Sequence, residues 1–335
     1  MKRSLYHRFF PFLMVVAMVF SCTACSKSHD SALTPVTLNE VAHSIFYAPM
    51  YVAIENGYFK DEGIDLTLHT GFGADKTMTA LVSNEADIGF MGTESSIYAY
   101  IQGSKDYAVN FAQLTQRAGN FLVARKPIDH FSWDMLKNST VLGGRAGGTP
   151  EMVFEYILKQ HNMNPKTDLS INQSIDFGAT AAAFSGGQGD YTIEFEPSAT
   201  ALESSGTGYV VASLGVDSGY LPYTAFCAKK SYMEKHSDTI QHFTNALQHG
   251  MAYTNSHSPA EIAKVIIHQF PDTDIDTLTT IVARYYDQQT WKGNLILSKK
   301  DYDLMLDVLN EAGVLDGTAP YEKLVNTDYA TKADK

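Results

Sequence analysis

Three glycine-bearing loops each stand between a predicted strand and a predicted helix, and their chemistry would suit the capture of a polar solute. The loops cover residues 71–74, 92–95 and 143–149. Backbone N–H groups at a helix N-terminus attract an anionic or polar group, and glycine lets that group approach the main chain closely. Each loop alone could equally be an ordinary strand-to-helix turn, but three of them in one chain favour a shared cleft.

Polar, charged and aromatic side chains beside these loops could complete such a cleft. Glu194 could accept hydrogen bonds from an amino group of the solute, whereas Arg117 and Arg145 could pair with an anion or with a neighbouring carboxylate. Aromatic rings could stack on a planar solute or be buried as core. The candidate ligand-binding residues are Asn39, His43, Ser44, Tyr47, Gly73, Thr93, Glu94, Asn120, Arg145, Gly147, Gly148, Thr149, Glu194 and Tyr223.

Motifs for catalysis and nucleotide binding are missing from the sequence. It contains no H-E-x-x-H, no G-x-S-x-G and no G-x-x-x-x-G-K-[ST] pattern, and the loop at 143–149 is not G-x-G-x-x-G. His236, His242, His249 and His257 share one helical region, but their spacings of 6, 7 and 8 favour a solvated helix face over a zinc clamp. We expect no catalytic residue, no metal site and no cofactor.

Short apolar runs alternate with segments of helical periodicity along most of the chain. Between residues 36 and 101 this alternation predicts strand–helix–strand units and a parallel sheet. A second series of strands and helices begins at residue 121, and successive helices are predicted from 238 to 312. These patterns predict the α/β fold class.

Two extended crossings, near residues 117–120 and 220–223, divide the predicted elements into two lobes. The first lobe combines residues 36–117 with 224–335, which include the C-terminal helices, and the second lobe covers 118–223. Two α/β lobes joined by two crossings are typical of a hinged binder of the Venus-flytrap kind. Ligands of open α/β sheets bind beyond the carboxyl ends of the strands, where the three glycine loops are predicted to lie.

The composition is that of a soluble globular protein, with 44% hydrophobic and 19% charged residues in a chain of 335. About 300 residues remain without an N-terminal signal and linker, which is enough for two lobes of ordinary size. A formal net charge of −12 argues against a nucleic-acid partner, because phosphate binding requires clustered lysine and arginine.

The N-terminus has the pattern of a secretory signal. Lys2, Arg3 and Arg8 precede an apolar run from 9 to 20, and small residues follow. The run is shorter than the about 20 apolar residues that a membrane-spanning helix needs. We therefore predict a signal peptide over residues 1–24 and export of the mature chain.

Residues 23–26, with the sequence Thr-Ala-Cys-Ser, resemble a bacterial lipobox, whose cysteine becomes a diacylated N-terminus. Cys25 is the predicted lipidation site, followed by a lipidated linker over 25–35. Cys22 stands where a lipobox prefers leucine, and it is itself the weaker alternative because bulky Phe20 lies two residues before it. Cleavage before Cys25 leaves Cys227 as the only other cysteine, so no intramolecular disulfide is expected, and two acyl chains would anchor the protein stably.

Two stretches of sequence carry a resemblance to a known family. They are YAPMYVAIENGYFKDEGIDLTL at 47–68 and GADKTMTALVSNEADIGF at 73–90. They resemble the periplasmic-type binding proteins of the nitrate, sulfonate and taurine group, together with thiamine-pyrimidine synthase-like binders. The resemblance covers nearly the whole mature chain, and its GYF-x-x-EG and ADIG pieces are quite specific for that superfamily, although they do not name the ligand.

The resemblance implies a type II periplasmic-binding-protein fold, ABC permease and ATPase partners, a small-molecule ligand and no catalysis. It also implies a place at the outer face of the bacterial cytoplasmic membrane, and we expect a monomer. Sulfonate binders carry a small-residue loop at a helix start, and Gly147, Gly148 and Thr149 stand in the matching place. Pyrimidine binders carry an acidic residue near the end of a middle-lobe strand, which Glu194 resembles.

The two family features point to different ligands. A thiamine-precursor-like pyrimidine or similar planar amine is favoured, because Glu94, Glu194 and Glu196 would disfavour a bare anion, and an aliphatic sulfonate, taurine or nitrate is the alternative. Two other classes of function remain. One is a pyrimidine-forming enzyme of the same fold, although the cysteine-rich motif of those enzymes is missing, and the other is a zinc-binding surface lipoprotein.

Overall fold

The apolar runs form the strands of two sheets, each with five strands. The structure is a computed structural model that describes residues 32–315 and 317–335. The predicted signal peptide, the lipidation site Cys25 and most of the linker lie outside the described residues. The two sheets and their surrounding helices confirm the predicted α/β class.

The first sheet has the strand order β2-β1-β3-β10-β4. Its strands are β1 (Thr34–Glu40), β2 (Ile64–Thr70), β3 (Ile88–Gly92), β4 (Ala108–Thr115) and β10 (Thr224–Lys229). β1 pairs in parallel with β2 and β3, so these three strands are βαβ units as predicted. β10 runs antiparallel between β3 and β4.

The second sheet has the order β7-β6-β8-β5-β9. Its strands are β5 (Asn120–Ala124), β6 (Thr140–Leu142), β7 (Ser170–Asn172), β8 (Tyr191–Phe195) and β9 (Tyr209–Ser213). β6 is parallel to β7 and β8, whereas β5 is antiparallel to β8 and β9. The parallel pairing predicted for the strands between residues 36 and 101 is confirmed, but each complete sheet also includes an antiparallel strand that follows a crossing, namely β10 in the first sheet and β5 in the second.

Helices connect and cover the strands. They are α1 (Ala48–Glu55), α2 (Tyr58–Asp61), α3 (Ala74–Ser83), α4 (Glu94–Ile101), α5 (Thr149–Gln160), α6 (Phe177–Ser185), α7 (Ser198–Ser204), α8 (Leu214–Asp217), α9 (Lys230–Lys235), α10 (Ser237–Ser256), α11 (Pro259–Ile266), α12 (Ile275–Asp287), α13 (Lys299–Glu311), α14 (Tyr321–Leu324) and α15 (Asp328–Ala333). Short 3-10 helices cover Ile45–Tyr47, Trp133–Leu136 and Ile267–Gln269. None of these described helices has both the length and the apolar composition that a membrane crossing requires.

The chain passes between the sheets twice. It leaves the first sheet after β4 and enters the second at β5, and it returns after β9 to enter the first sheet at β10. Both passages include the predicted crossings near 117–120 and 220–223. The division into lobes at 36–117 plus 224–335 and at 118–223 stays a prediction.

Strand β4 is an element that the sequence analysis did not predict. Every residue of β4 is buried, including the polar Asn110 and Gln113. The Asn110 amide donates to Ser96 Oγ at 2.8 Å and to the Leu324 carbonyl at 3.1 Å. Because both faces of β4 are covered, its sequence has no polar alternation that would mark a strand.

An aromatic cluster joins the middle of the first sheet to α10. The rings of Phe90 and Phe226, on adjacent strands, stack with centroids 4.1 Å apart. Phe243 of α10 lies 5.6 Å from Phe226 and 6.0 Å from Phe111 of β4. Burial of each such ring contributes about 2–3 kcal/mol, so α10 is held firmly against β10 and β4.

Helix α10 also packs closely on α1. A Cβ atom on Gly250 would lie 2.2 Å from the Pro49 carbonyl oxygen and 2.9 Å from the Ala53 Cβ. The nearer neighbour is backbone and has little freedom to move. Glycine at this position therefore sets the separation of the two helices.

We predict that Gly250→Ala lowers the free energy of unfolding by about 1–2 kcal/mol. Alanine normally stabilises a helix relative to glycine by about 1 kcal/mol, but overpacking of a buried contact costs about 1–3 kcal/mol. Gly178→Ala in α6 is the matched control, because its Cβ would meet no atom within 4 Å. Urea unfolding should show that this control is as stable as wild type or more so. A stabilising Gly250→Ala would contradict the packing of α10 on α1.

Candidate functional site

The ends of strands from both sheets meet in one region, joined by hydrogen bonds between their loops. Ser44, which follows β1, donates from Oγ to the Glu196 carbonyl at 3.1 Å, just after β8. Thr93, which follows β3, donates from Oγ1 to the Pro222 carbonyl at 3.0 Å on the second crossing. The strand ends and the second crossing therefore form one contiguous site, as expected for ligand binding in α/β sheets.

Glu94 is the first residue of α4 and lies at the centre of this region. Only 3% of the residue is exposed, and its Oε2 atom has no hydrogen-bond partner among the described residues. A Cβ atom on Gly92 would lie 2.1 Å from that Oε2 atom, so the carboxyl group folds back over Gly92 and needs glycine there. Burial raises the pKa of Glu94, and the hydroxyl and N–H groups of Thr149 oppose the rise, although within the described ranges neither Thr149 Oγ1 nor Glu94 Oε2 has a hydrogen bond of regular geometry.

Two further buried polar groups of the same region lack partners in the described part of the chain. They are the side-chain nitrogen Nδ2 of Asn120, at the start of β5, and the hydroxyl Oγ1 of Thr149, at the start of α5. Asn120 is fully buried and Thr149 is 2% exposed. A buried polar group without a hydrogen bond costs about 1–3 kcal/mol, so these atoms require an explanation.

Aromatic rings surround these polar groups. Tyr47 and Tyr223 are buried, and the pKa of each is raised, first by burial and then by nearby charged and ionisable groups that include Glu94. The Tyr223 hydroxyl lies 3.5 Å from Asn120 Oδ1, and the Phe46 ring lies 5.1 Å from Tyr47 and 5.7 Å from Tyr223. The region therefore combines buried aromatic rings with a few directional polar atoms, and this combination of residue types is typical of small-molecule sites.

The other residues expected after the strands of the first sheet lie beside this centre. Asn39 accepts from Thr77 Oγ1 at 2.8 Å, and Gly73 is the N-cap of α3. His43 Nδ1 lies 2.8 Å from Glu40 Oε1, and its Nε2 lies 2.8 Å from the Gln269 carbonyl. The hydrogen bond to Glu40 raises the pKa of His43. Both ring nitrogens of His43 are thus already engaged.

The loop before α5 is also close to the first sheet. The Gly147 carbonyl accepts from the Tyr98 hydroxyl at 3.3 Å, its N–H donates to Glu151 Oε2 at 3.1 Å, and Gly148 is the N-cap of α5. Arg145 forms an ion pair with Asp75 at 3.0 Å, with both side chains about half exposed. Of the two partners expected for Arg145, the structure therefore places the carboxylate beside it.

Glu194 has a different environment from the one expected of a solute acceptor. Its Oε1 accepts from Thr192 Oγ1 at 2.6 Å, two residues earlier on β8, while the Thr180 hydroxyl of α6 donates to the Phe177 carbonyl at 3.0 Å. Only 1% of Glu194 is exposed, and burial raises its pKa to about 7. The structure therefore places its carboxyl group against β8, where the Thr192 hydroxyl already bonds to it.

Glu196 and Arg284 form an ion pair that the sequence analysis did not predict. Arg284 of α12 donates to Glu196 Oε1 at 2.5 Å and to Glu203 Oε2 at 2.9 Å. Burial raises the pKa of Glu196, and the Arg284 guanidinium opposes that rise. The next residue, Tyr285, donates its hydroxyl to the Gly119 carbonyl at 2.8 Å. Helix α12 thus binds the chain just before β5 and just after β8.

A fully buried carboxylate at the end of β1 was also missed. Glu40 accepts from the Tyr51 hydroxyl at 2.6 Å and from Thr70 Oγ1 at 2.8 Å, in addition to its contact with His43. The sequence did carry a signal for it. Glu40 follows Val36 and Leu38 at a spacing of two, which places a carboxylate on the buried face of the strand.

The histidines of the α9–α10 region have separate partners. His242 Nδ1 lies 2.7 Å from Glu62 Oε2, while His236 stacks on Tyr232 and His257 on Tyr253. Across residues 32–315 and 317–335, no group of three or more histidine, cysteine, aspartate or glutamate side chains is arranged to hold a metal ion.

Comparison with known proteins gives a family and a fold. The family model described as NMT1/THI5 like matches residues 45–262. The Bacillus subtilis (strain 168) protein named "Putative binding protein YtlA" is 44% identical over 317 residues, which are 95% of this chain and 94% of that protein.

Two solved structures illustrate the likeness of fold. The alkanesulfonate-binding protein SsuA from Xanthomonas axonopodis pv. citri, bound to MOPS, aligns with a TM-score of 0.72 at 14% identity, covering 88% of this chain and 98% of that one. The nitrate-binding protein NrtA from Synechocystis PCC 6803 has a TM-score of 0.72 at 15% identity, covering 90% of this chain and 88% of that one. The predicted periplasmic-binding-protein fold is confirmed.

We predict that Glu194 makes the protein less stable as pH rises. Its pKa is about 7 in the folded protein against an ordinary 4.5, so the folded state keeps a proton that the unfolded state releases. The stabilisation by protonated Glu194 is complete below about pH 4.5 and is lost as pH rises through 7. The free energy of unfolding falls by about 3 kcal/mol over this range. Urea unfolding at several pH values should show this slope in wild type and a flatter one in Glu194→Gln.

Glu85→Gln, which removes an exposed carboxylate, is the control for this pH series. Its free energy of unfolding should depend on pH with the wild-type slope. Identical slopes in wild type and Glu194→Gln would contradict the buried, protonated state of Glu194.

Proposed function

Because the chain belongs to the NMT1/THI5-like family, we propose that it is the solute-binding component of an ABC importer, exported and held at the outer face of the bacterial cytoplasmic membrane. One observation carries the proposal. Glu94, Asn120 and Thr149 are each at least 97% buried and each has a polar side-chain atom with no partner in the described chain. A bound solute would supply the missing hydrogen bonds.

The three groups come from both sheets, which supports binding by closure. Glu94 follows a strand of the first sheet, Asn120 begins a strand of the second, and Thr149 begins a helix of the second. We propose that the lobes are residues 36–117 plus 224–335 and residues 118–223. Their relative rotation about the two crossings would bring the groups together around a solute.

Polar contacts near the site support the same interpretation. Ser44 to Glu196, Tyr98 to Gly147 and Asp75 to Arg145 each join segments that belong to different proposed lobes. The Asp75–Arg145 pair is half exposed, so water screens it and it contributes little on its own. This pair would therefore break readily when the lobes separate after solute release.

The proposed partners are an ABC permease with its ATPase subunits. Relatives named for alkanesulfonate and nitrate binding share the fold. We propose no catalytic role, so the expected result is stoichiometric retention of an unchanged solute. The protein would be a monomer tethered through Cys25.

The experiment that tests this function is mass spectrometry of small molecules retained by the purified mature protein after exposure to a native cell extract. One unmodified organic solute at about one equivalent is expected, and heat denaturation should release it. Conversion of the solute with turnover would replace the binding proposal by an enzyme, and retention of no solute would contradict it.

We predict that Cys25→Ala moves the protein from the membrane fraction to the soluble exported fraction. Two acyl chains anchor a protein stably, so the loss of their attachment site should release it. Cell fractionation with mass measurement of the mature N-terminus gives the readout. Cys22→Ala is the matched control and should stay membrane-bound. If Cys22→Ala is released and Cys25→Ala is not, the tether is at Cys22.

A further inference from the structure

Helices α5 and α13 pack against each other, although α5 lies between the two crossings of the chain and α13 follows the second. Lys159, in the last turn of α5, donates from Nζ to the carbonyl oxygen of Glu311, the last residue of α13. The last four carbonyls of a helix have no N–H partner within it, and that end of the helix carries partial negative charge. The Lys159 ammonium group therefore supplies both a donor and a positive charge to the end of α13.

Neighbouring side chains add charge complementarity to this contact. Tyr156 lies one turn before Lys159 on the same face of α5, and Asp307 lies one turn before Glu311 on the same face of α13. Burial raises the pKa of Tyr156, and the carboxylates of Glu311 and Asp307 raise it further, so both carboxylates lie near this face of α5. Lys159 thus approaches a helix end that also carries two acidic side chains.

The opposite end of α5 belongs to the candidate functional site. The helix begins at Thr149, and there the Tyr98 hydroxyl of α4 lies 3.3 Å from the Gly147 carbonyl and 3.5 Å from Met152 Sδ. Lys159 is ten residues beyond Thr149, which corresponds to about 15 Å along the helix axis. A rotation that moves the loop before α5 relative to the first sheet would therefore also move Lys159 relative to α13.

We propose that Lys159 and the C-terminal end of α13 form a latch that stabilises the closed protein without contact to the solute. The proposal rests on the proposed function and its two lobes, because α5 lies within residues 118–223 and α13 within residues 224–335. A contact that exists only in the closed form slows opening and leaves solute binding to the open form unchanged. Loss of the latch therefore increases the rate at which solute is released.

The rate of solute release measures the latch. Mature protein is loaded from a native cell extract, freed of unbound molecules by gel filtration and diluted, and mass spectrometry then follows the retained solute over time. Lys159→Ala should release it about 2- to 5-fold faster than wild type, since a cation at a helix C-terminus contributes about that factor. Lys159→Arg keeps a donor and the charge, so its release rate should be close to that of wild type.

Two controls separate the latch from a general effect on charge or folding. Lys166→Ala removes an exposed lysine of the same proposed lobe outside α5 and should release solute as wild type does. Added salt should accelerate release from wild type more than from Lys159→Ala, because ions screen the latch charges. The thermal midpoint of solute-free Lys159→Ala should equal that of wild type. Equal release rates for Lys159→Ala and wild type, or a lowered midpoint, would contradict the latch.

Cross-linking tests whether the contact depends on closure. A short bismaleimide would join Lys159→Cys to Glu311→Cys only when the two helix ends are close, since Cys227 is buried and the Cys25 thiol would be blocked by its lipid. Cross-linking should be faster after loading from the extract than without solute. Equal rates would overturn the latch and leave the proposed function standing. Retention of no solute by wild type would contradict the proposed function and the latch with it.

Discussion

Strand β10 lies between β3 and β4, with hydrogen bonds to both neighbours, and the rest of the molecule depends on that position. The first sheet is complete only when the chain has left it, built the second sheet and returned. The chain must therefore pass between the sheets twice, and the first sheet contains strands of both directions. The site lies where these passages meet the strand ends, since Thr93 bonds to Pro222 just before β10 begins.

Helix α12 ties the C-terminal region to this junction. Arg284 binds Glu196 and Glu203, and Tyr285 binds the Gly119 carbonyl. Gln288 donates to the Ala118 carbonyl at 3.1 Å. These contacts hold the start of β5 and the end of β8, which are neighbouring strands of the second sheet. Their side chains are less exposed than those of the Asp75–Arg145 pair at the surface. The junction beside α12 is therefore the firmly held side of the site.

Much of the fold could be predicted from sequence, because periodicity reports which faces of a helix or strand are buried. Strand β4 could not be predicted, because all its residues are buried and its sequence therefore shows no alternation of polar and apolar residues. The antiparallel direction of β5 and β10 depends on where the chain joins each sheet after a crossing. No local sequence pattern encodes that position. Glu94 and Thr149 were predicted near a ligand because they lie in glycine loops after strands, and Asn120 because it lies on the first crossing, but their lack of regular hydrogen bonds is visible only in three dimensions. Glu194 shows the limit, because residue type did not reveal that Thr192 would bond its carboxyl group, whereas a carboxylate was one of the two partners expected for Arg145.

The missing hydrogen bonds at Glu94, Asn120 and Thr149 also have a consequence for populations. If each costs the solute-free arrangement about 1 kcal/mol, the three together bias the protein roughly a hundredfold against that arrangement. Under the proposed function, empty molecules would then remain mostly open, and a permease that recognises the closed form would rarely bind an unloaded protein. The affinity for the solute would be reduced by the same factor. Part of the binding free energy would thereby serve to distinguish solute-bound from solute-free protein.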